Sequence, residues 1–205
     1  MSQIFNTLAA HSEFCYEEKR SRFIAHIWPV TSKEEGFQYF HQVKEVFPDA
    51  RHHCWAYLLG NPQQALSAGF NDDGEPGGTA GKPMLNVLSQ RQVGNVFAMV
   101  VRYFGGIKLG AGGLTRAYGQ AVSGALNAGQ LLQVVPHKTL QIAVEYALED
   151  RVRNLLKQNA IDVSDVIYGR YALLSCRCPV HLITQLQQQL LETTAGQANL
   201  SFKTV

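Results

Sequence analysis

An apolar run of strand length, Val96–Val101, lies between two glycine-rich segments and precedes the strongest helical pattern of the chain. Such a continuous run predicts a buried strand. The segment Leu114–Leu126 repeats apolar residues at spacings of three and four, the period of an amphipathic helix, and Gly129 is placed to cap its end. These patterns predict a buried strand, a glycine loop over Gly105–Gly113 and a long helix in direct succession.

The residues before this unit predict a mixture of strands and helices. Glu13–Ile27 alternates around a polar turn and indicates two strands. Thr31–Ser32 offers an N-cap to a helix with an acidic first turn. His52–Leu59 follows as a strand, and Ser67–Pro83 is expected to be a long glycine-rich loop. Pro83 suits the first turn of a short helix after that loop.

Pro136 marks the predicted boundary between two domains, 1–135 and 136–205. After it the pattern restarts, with a helix capped by Asp150 and a last strand over Leu200–Val205. The order of elements is β-α-β-β-α-β, the split βαβ unit, in which two helices cover one face of an antiparallel sheet. The sequence therefore predicts a two-domain protein of the α+β class.

Composition excludes several classes of protein. The 205 residues are 46% hydrophobic and 17% charged, which argues against disorder. No apolar run approaches the roughly 20 residues of a membrane span, and the first residues show no signal-peptide pattern. Four scattered cysteines do not form a disulfide framework. We expect a reduced cytoplasmic protein that does not enter a membrane.

The formal net charge of +2 conceals an uneven distribution. The stretch Pro76–Val144 contains no Asp or Glu but has six basic residues, and 11 of the 18 glycines lie between Gly74 and Gly119. Basic side chains and accessible backbone amides both favour an anionic partner. A basic face is one interpretation, and exclusion of charge from a buried core is the other.

The first glycine loop, Asn71–Pro83, invites comparison with a phosphate-binding loop. Gly77 to Gly81-Lys82 is one residue too short for GxxxxGK, and Pro83 replaces the hydroxyl that would bind Mg²⁺. Its three clustered acids have two interpretations, as a general acid and base or as turn residues that accept backbone NH groups. The acids are Asp72, Asp73 and Glu75.

The second glycine loop carries cations and aromatic rings around its glycines. Arg102, Lys108 and Arg116 suit phosphate contacts, and Tyr103 and Phe104 suit base stacking. The alternative is a structural loop whose glycines permit positive φ and close helix packing. Both interpretations remain open at the level of sequence.

Metal ligation and nucleophilic catalysis have weaker support. Cys176 and Cys178, which His181 follows, occupy alternate positions of a predicted strand, where cysteine acts as a small core residue. His53 and Cys54 are neighbours on a strand, so their side chains face opposite ways. We therefore expect no metal site, no cofactor and no catalytic residue.

Three long motifs resemble the IMPACT family, and the whole layout is similar to its bacterial YigZ-type members. The motifs are Arg51-His52-x-x-Trp55-Ala56-Tyr57, then Asp72-Asp73-Gly74-Glu75-Pro76-x-Gly78-Thr79-Ala80-Gly81-x-Pro83, then Val100-x-Arg102-Tyr103-Phe104-Gly105-Gly106-x-Lys108-Leu109-Gly110-x-Gly112-Gly113-Leu114-x-Arg116-Ala117-Tyr118.

The resemblance implies a ribosomal protein S5 domain 2-like fold followed by a ferredoxin-like domain. The leading hypothesis is a non-enzymatic protein of translation regulation that associates with RNA or the ribosome. The alternatives are an enzyme that binds a nucleotide or another small phosphate ester through the glycine loops, and a regulatory module with a protein partner in translation control. The predicted nucleic-acid or anion contacts are Lys82, Arg102, Tyr103, Phe104, Lys108, Arg116, Arg51, His52 and Trp55. The predicted motif-loop positions are Asp72, Asp73, Gly74, Glu75, Pro76, Gly78, Thr79, Gly81, Gly105, Gly106, Gly110, Gly112 and Gly113.

Overall fold

The computed structural model describes residues 4–202, which divide into two compact units. The first unit is Ile4–Val134, and the second comprises the described residues from Val135 on. Within the described residues, no helix is long and apolar enough to span a membrane.

The first unit contains seven strands and three helices among its described residues. In chain order they are β1 Phe5–Leu8, β2 Ser12–Glu18, β3 Ser21–Pro29, α1 Lys33–Val46, β4 His52–Asn61, β5 Gln64–Asn71, α2 Gly81–Gln90, β6 Val96–Tyr103, α3 Gly110–Ala128 and β7 Leu131–Val134. Strands β1 and β7 form a separate antiparallel pair. The other five strands form one antiparallel sheet, which positions the candidate site.

The apolar run predicted as a buried strand is β6, at the centre of the sheet order β2-β3-β6-β4-β5. Successive side chains of a strand point to opposite faces. Ala98 and Val100 therefore pack in the cluster that includes residues of α2 and α3, whereas Phe97 and Met99 pack in the cluster that includes residues of α1. Because both faces of β6 are buried, its sequence is apolar without alternation.

Capping and glycine residues mark the ends of α1 and α3. Ser32 caps α1 by accepting a hydrogen bond from the backbone NH of Glu35, at 3.2 Å. Helix α3 buries one stripe, and Gly129 is its C-cap. It begins at Gly110, whose φ of +72° lies in a region that favours glycine. Gly112 and Gly113 thus lie inside the helix, so the predicted loop Gly105–Gly113 is wrong over its last four residues.

A second correction concerns the predicted loop Ser67–Pro83. Its first residues belong to β5, which pairs with β4 from Asn61↔Gln64 to Trp55↔Asn71. Strand β5 lies at the edge of the sheet with most of its side chains exposed, so it lacks the apolar alternation from which strands are predicted. The glycine loop proper is residues 72–80, between β5 and α2.

The second unit contains four strands and two α-helices among its described residues. They are β8 His137–Val144, α4 Glu149–Gln158, β9 Val163–Tyr168, β10 Ala172–Pro179, α5 Ile183–Thr194 and β11 Asn199–Phe202. The sheet order β11-β8-β10-β9 is that of the split βαβ unit. The prediction of an α+β protein is confirmed.

Two details of the second unit differ from expectation. Asp150 lies in the first turn of α4 rather than at its N-cap, which is Leu148. The last strand begins at Asn199, and residues 203–205 of the predicted strand Leu200–Val205 lie outside the described residues.

Candidate functional site

A cleft of about 350 Å³ opens in the first unit where the end of β6 meets the start of α3. The two glycine loops and the beginning of β4 supply the rest of its walls. It is lined by Arg51, His52, Glu75, Pro76, Arg102, Phe104, Lys108, Leu109, Gly110, Ala111 and Leu114. All three sequence motifs contribute to this cleft.

Strand register brings three of the side chains at this site together. Arg102 of β6 is paired with His52 of β4 on one side and with Phe23 of β3 on the other. Residues that are directly opposite on neighbouring strands point to the same face of a sheet. Here that face is the one covered by α2 and α3, because Phe23 packs in their cluster.

Arg102 is buried and bound to an acid from the first glycine loop. Its Nη1 donates to Oε1 of Glu75 at 2.6 Å, and the two side chains are 8% and 3% exposed. The hydroxyl of Tyr118, in α3, donates to the same Oε1 at 2.8 Å. This ion pair joins β6, the loop and α3, and it neutralises both charges inside the protein.

Cys54 extends this network beneath the cleft. Its thiol donates towards the Tyr118 hydroxyl at 3.3 Å and lies 3.0 Å from the carbonyl oxygen of Asp72. Burial raises the pKa of the Cys54 thiol and of the Tyr118 hydroxyl far above their usual ranges. Since the thiolate is the reactive form of cysteine, burial keeps Cys54 in its less reactive, protonated form.

The carboxylate of Asp72 stabilises the first glycine loop through hydrogen bonds to its backbone. One carboxylate oxygen of Asp72 accepts the backbone NH groups of Ala80 and Gly81 at 3.0 and 2.8 Å, and the other accepts that of Gly78 at 2.7 Å. The amides at the start of α2 therefore already have an anionic partner, as helix N-termini favour. This geometry supports the interpretation of Asp72 as a turn residue, and it leaves the amides of Ala80 and Gly81 paired within the protein rather than with a phosphate.

The neighbouring acid connects the loop to β4. The Asp73 carboxylate accepts the backbone NH of His53 at 2.7 Å, and the Asp73 carbonyl oxygen lies 2.8 Å from Nδ1 of His52. His52 is thereby fixed at the wall of the cleft. Asp73 and Gly74 have positive φ values of 43° and 82°. The loop turns at these residues, and the remaining motif positions Pro76 and Thr79 continue it with a 2.6 Å hydrogen bond from the threonine hydroxyl to the proline carbonyl.

The second glycine loop presents an aromatic ring at the cleft. Phe104 is 53% exposed, and the Arg102 guanidinium lies 5.6 Å from the centre of its ring and 5.4 Å from that of Phe23. The guanidinium is thus held beside two aromatic rings, whose faces attract a cation. Lys108, also exposed, follows on the same loop.

Gly105 and Gly106 set the path of this loop. The backbone NH of Gly105 donates to the Ser21 hydroxyl at 3.1 Å. A Cβ atom at Gly105 would overlap the backbone of Arg20, so only glycine permits this approach. Gly106 has a φ of +87°.

Arg116 lies at a second, smaller recess beside the cleft. This recess has a volume of about 200 Å³, and Leu109 lines both cavities. Arg116 shares it with Lys19 and Glu18, so acidic and basic groups are mixed there.

Besides Arg116, three of the predicted contacts do not line the cleft. Trp55 faces the α1 side of the sheet, with its ring centre 5.0 Å from that of Phe37. Tyr103 also faces that side and donates to Asp49 at 2.7 Å. Lys82 is exposed in the first turn of α2 and does not line the cleft.

Arg102 does line the cleft, but its charge is already paired within the protein. The prediction of a free phosphate contact conflicts with its burial and its pairing with Glu75. Trp55 and Tyr103 differ from expectation because alternate residues of a strand face opposite sides of the sheet. Arg102 differs because Glu75, the acid that pairs with it, is distant in sequence.

Two residues of the network have no role in the sequence-based prediction of the site. The apolar spacing of α3 places Tyr118 in the buried stripe, and its hydroxyl distinguishes it from the other members of that stripe. Cys54 is one position after His53 and shares the face of His52. The sequence signal for both residues is a side chain with a polar atom at a position that faces the buried side of its helix or strand.

Comparison with known proteins supports the resemblance that the motifs indicate. The Impact N-terminal domain matches residues 19–126, and a domain of unknown function, DUF1949, matches residues 142–197. An IMPACT family member of Haemophilus influenzae is 35% identical, over 93% of this chain and 89% of the relative. The IMPACT family member YigZ of Escherichia coli is 37% identical, over 90% of each. A solved structure, described only as a hypothetical protein, has a TM-score of 0.64 at 34% identity over 98% of this chain and 97% of its own. The chain therefore belongs to the IMPACT family.

Proposed function

We propose that the protein binds single-stranded RNA at the cleft and acts in the cytoplasm as a non-enzymatic, ribosome-associated protein of translation. The observation that carries the proposal is the combination of one exposed aromatic ring with two exposed cations around a recess of nucleotide size. Phe104 offers the ring, and Arg51 and Lys108 offer the cations. Pockets for small ligands have volumes from about 300 Å³ upwards, so about 350 Å³ suits one nucleotide.

Charge inside the cleft favours a phosphate. Among the described residues that line it, Glu75 is the sole acid, and Arg102 neutralises it. Arg51 and Lys108 therefore set the sign of the potential at the rim. The first residues of α3, Gly110 and Ala111, also line the cleft, and the N-terminal end of a helix carries partial positive charge.

The aromatic ring favours a base. A flexible single strand can place one base on Phe104, where stacking contributes about 1–3 kcal/mol, while its phosphates meet the cations. With two phosphate contacts, the logarithm of the binding constant should fall with the logarithm of salt concentration with a slope of about −1.4. This is modest, salt-dependent binding, as expected for a protein whose net charge is +2.

Fluorescence anisotropy with a labelled single-stranded RNA tests the proposal. The double variant Arg51→Ala/Lys108→Ala should remove most of the salt dependence. The matched control is Lys33→Ala/Lys44→Ala, which removes the same charge from α1, on the other face of the sheet. Equal binding by both double variants would refute the assignment of the cleft.

The variant Phe104→Leu separates stacking from burial, because leucine keeps an apolar side chain but has no ring. We expect a loss of affinity of about 5- to 150-fold, equivalent to 1–3 kcal/mol. An unchanged affinity would show that no base stacks on Phe104.

Two further measurements distinguish the alternative functions. Calorimetry with a free nucleotide and Mg²⁺ should show weaker binding than the RNA, and tight binding of the nucleotide alone would favour the small-molecule enzyme. Co-sedimentation with ribosomes, with and without nuclease, tests the partner. Retention after RNA digestion would favour a protein partner in translation control.

A further inference from the structure

A cluster of three potential metal ligands lies on the α1 side of the sheet, away from the cleft. Glu13 of β2 and His26 of β3 are directly opposite each other in the strand register. His11 lies just before β2, and its ring stacks on those of His26 and Trp28, so it is on the same face. His26 shares this face with Ile24 and Trp28, which pack in the cluster containing α1.

The distances within the cluster are those of a metal coordination shell. Nδ1 of His26 lies 3.3 Å from Nε2 of His11 and 3.4 Å from a carboxylate oxygen of Glu13. All three ligand atoms lie within 4.8 Å of one another. A tetrahedral zinc ion bound at about 2.0–2.1 Å separates its ligand atoms by about 3.3–3.4 Å. Two of the three separations therefore already match.

Aromatic stacking orients the two imidazole rings. His11 stacks on Trp28 with ring centres 4.7 Å apart, and Trp28 stacks in turn on Tyr39 of α1 at 5.2 Å. His26 is 5% exposed and packs against Phe47. Ligands held by their surroundings lose little conformational freedom when a metal binds.

The chemistry of His26 also suits a metal ligand. Its Nε2 is buried without a hydrogen-bond partner, so Nδ1 is its polar contact, and both neighbours of Nδ1 are themselves ligand atoms. A proton on Nδ1 can serve only one of its two neighbours well, whereas a cation would satisfy all three groups at once.

We propose that His11, Glu13 and His26 form a binding site for a divalent transition metal ion, with Zn²⁺ as the preferred ion. The ligand atoms are Nε2 of His11, Nδ1 of His26 and a carboxylate oxygen of Glu13. Two imidazoles and one carboxylate leave a fourth tetrahedral position for water. Strand β2 is at the edge of the sheet, and His11 and Glu13 are exposed, so the ion can enter from solvent. The three residues come together only through the pairing of β2 with β3, which their spacing in the sequence does not show.

Calorimetric titration of the full, tag-free chain with Zn²⁺ tests the site. We expect one ion per chain, and visible absorption bands of tetrahedral Co²⁺ when cobalt replaces zinc. His11→Ala and Glu13→Gln should each lower the affinity at least about tenfold, the lower limit seen when even supporting residues of a metal site are replaced. Both positions are exposed, so neither variant is expected to disturb folding.

Matched controls exclude unspecific binding. His41→Ala removes an exposed imidazole from α1, and Glu17→Gln removes an exposed carboxylate from the same strand as Glu13; both should bind zinc like the unmodified chain. The proposal is overturned if the unmodified chain takes up no stoichiometric zinc, or if His11→Ala and Glu13→Gln bind as tightly as it does. Binding that disappears only on replacement of Cys176 or Cys178 would place the ion elsewhere and also overturn it.

Discussion

Replacing Glu75 by leucine should destabilise the protein strongly, because the change leaves the Arg102 guanidinium buried and unpaired. The two side chains are 3% and 8% exposed, and their atoms approach to 2.6 Å. Removing one partner of a buried ion pair costs about 3–5 kcal/mol. The same change also removes the acceptor of the Tyr118 hydroxyl. A free energy of unfolding of about 5–15 kcal/mol is usual for a domain, so the loss should be conspicuous.

The double variant Glu75→Leu/Arg102→Met identifies the cause. If the cost arises from the unpaired charge, removing the charge as well should restore much of the stability, since apolar replacements of a buried pair are often neutral. Some loss should remain, because Arg102 also contacts the rings of Phe23 and Phe104. The double variant is therefore expected to be more stable than Glu75→Leu alone.

Urea denaturation of the four proteins in this cycle, followed by circular dichroism, measures these free energies. The exposed pair Glu17 and Arg22, 3.8 Å apart, provides the control, and Glu17→Leu should cost at most about 1 kcal/mol. The reasoning is refuted if Glu75→Leu costs as little as Glu17→Leu. It is also refuted if the effects of Glu75→Leu and Arg102→Met simply add to within about 0.5 kcal/mol.

Three further predictions concern the first unit and the cysteines. Gly105→Ala should destabilise the native state in urea denaturation, since a Cβ would overlap the backbone of Arg20, and unchanged stability would contradict so close an approach of these two segments. Burial lowers the pKa of His53, so the unfolded chain takes up a proton that the folded chain refuses; the free energy of unfolding should fall as pH decreases below about 6.5, and less so in His53→Gln. A thiol reagent should label Cys15 rapidly in the native protein and all four cysteines in urea, and rapid native labelling of more than one thiol would contradict the burial of Cys54, Cys176 and Cys178.

Apolar patterning predicted most of the buried elements. The buried strand β6 follows from its continuous apolar run, and helix α3 and the split βαβ order follow from apolar spacing together with cap and boundary residues. Strand β5 was missed because its side chains are mostly exposed, so its pairing with β4 leaves no apolar pattern. The pair β1 and β7 joins segments far apart in the chain, and their pairing is not evident from either short segment alone.

The motifs indicated the site, but their chemistry depended on tertiary contacts. Phe104 and Lys108 of the second glycine loop both line the cleft. Glu75 and Arg102 are 27 residues apart in sequence, so neither residue type nor spacing showed that their charges cancel. Likewise, His26 became a candidate ligand only through its register with Glu13.

The stretch Pro76–Val144, which has six basic residues and no acid, suggested a basic face. Fewer than six of these residues contribute positive charge at the cleft. Arg102 is neutralised by Glu75. Arg91 directly follows the last residue of α2, does not line the cleft and donates to the side chain of Asn127 in α3. At the cleft, Lys108 is joined by Arg51, which comes from outside the stretch. Six phosphate contacts would give a salt slope of about −4 for a single strand, whereas these two give about −1.4. A measured slope near −4 would therefore contradict the proposed cleft and favour a binding face that follows the distribution of charge along the sequence.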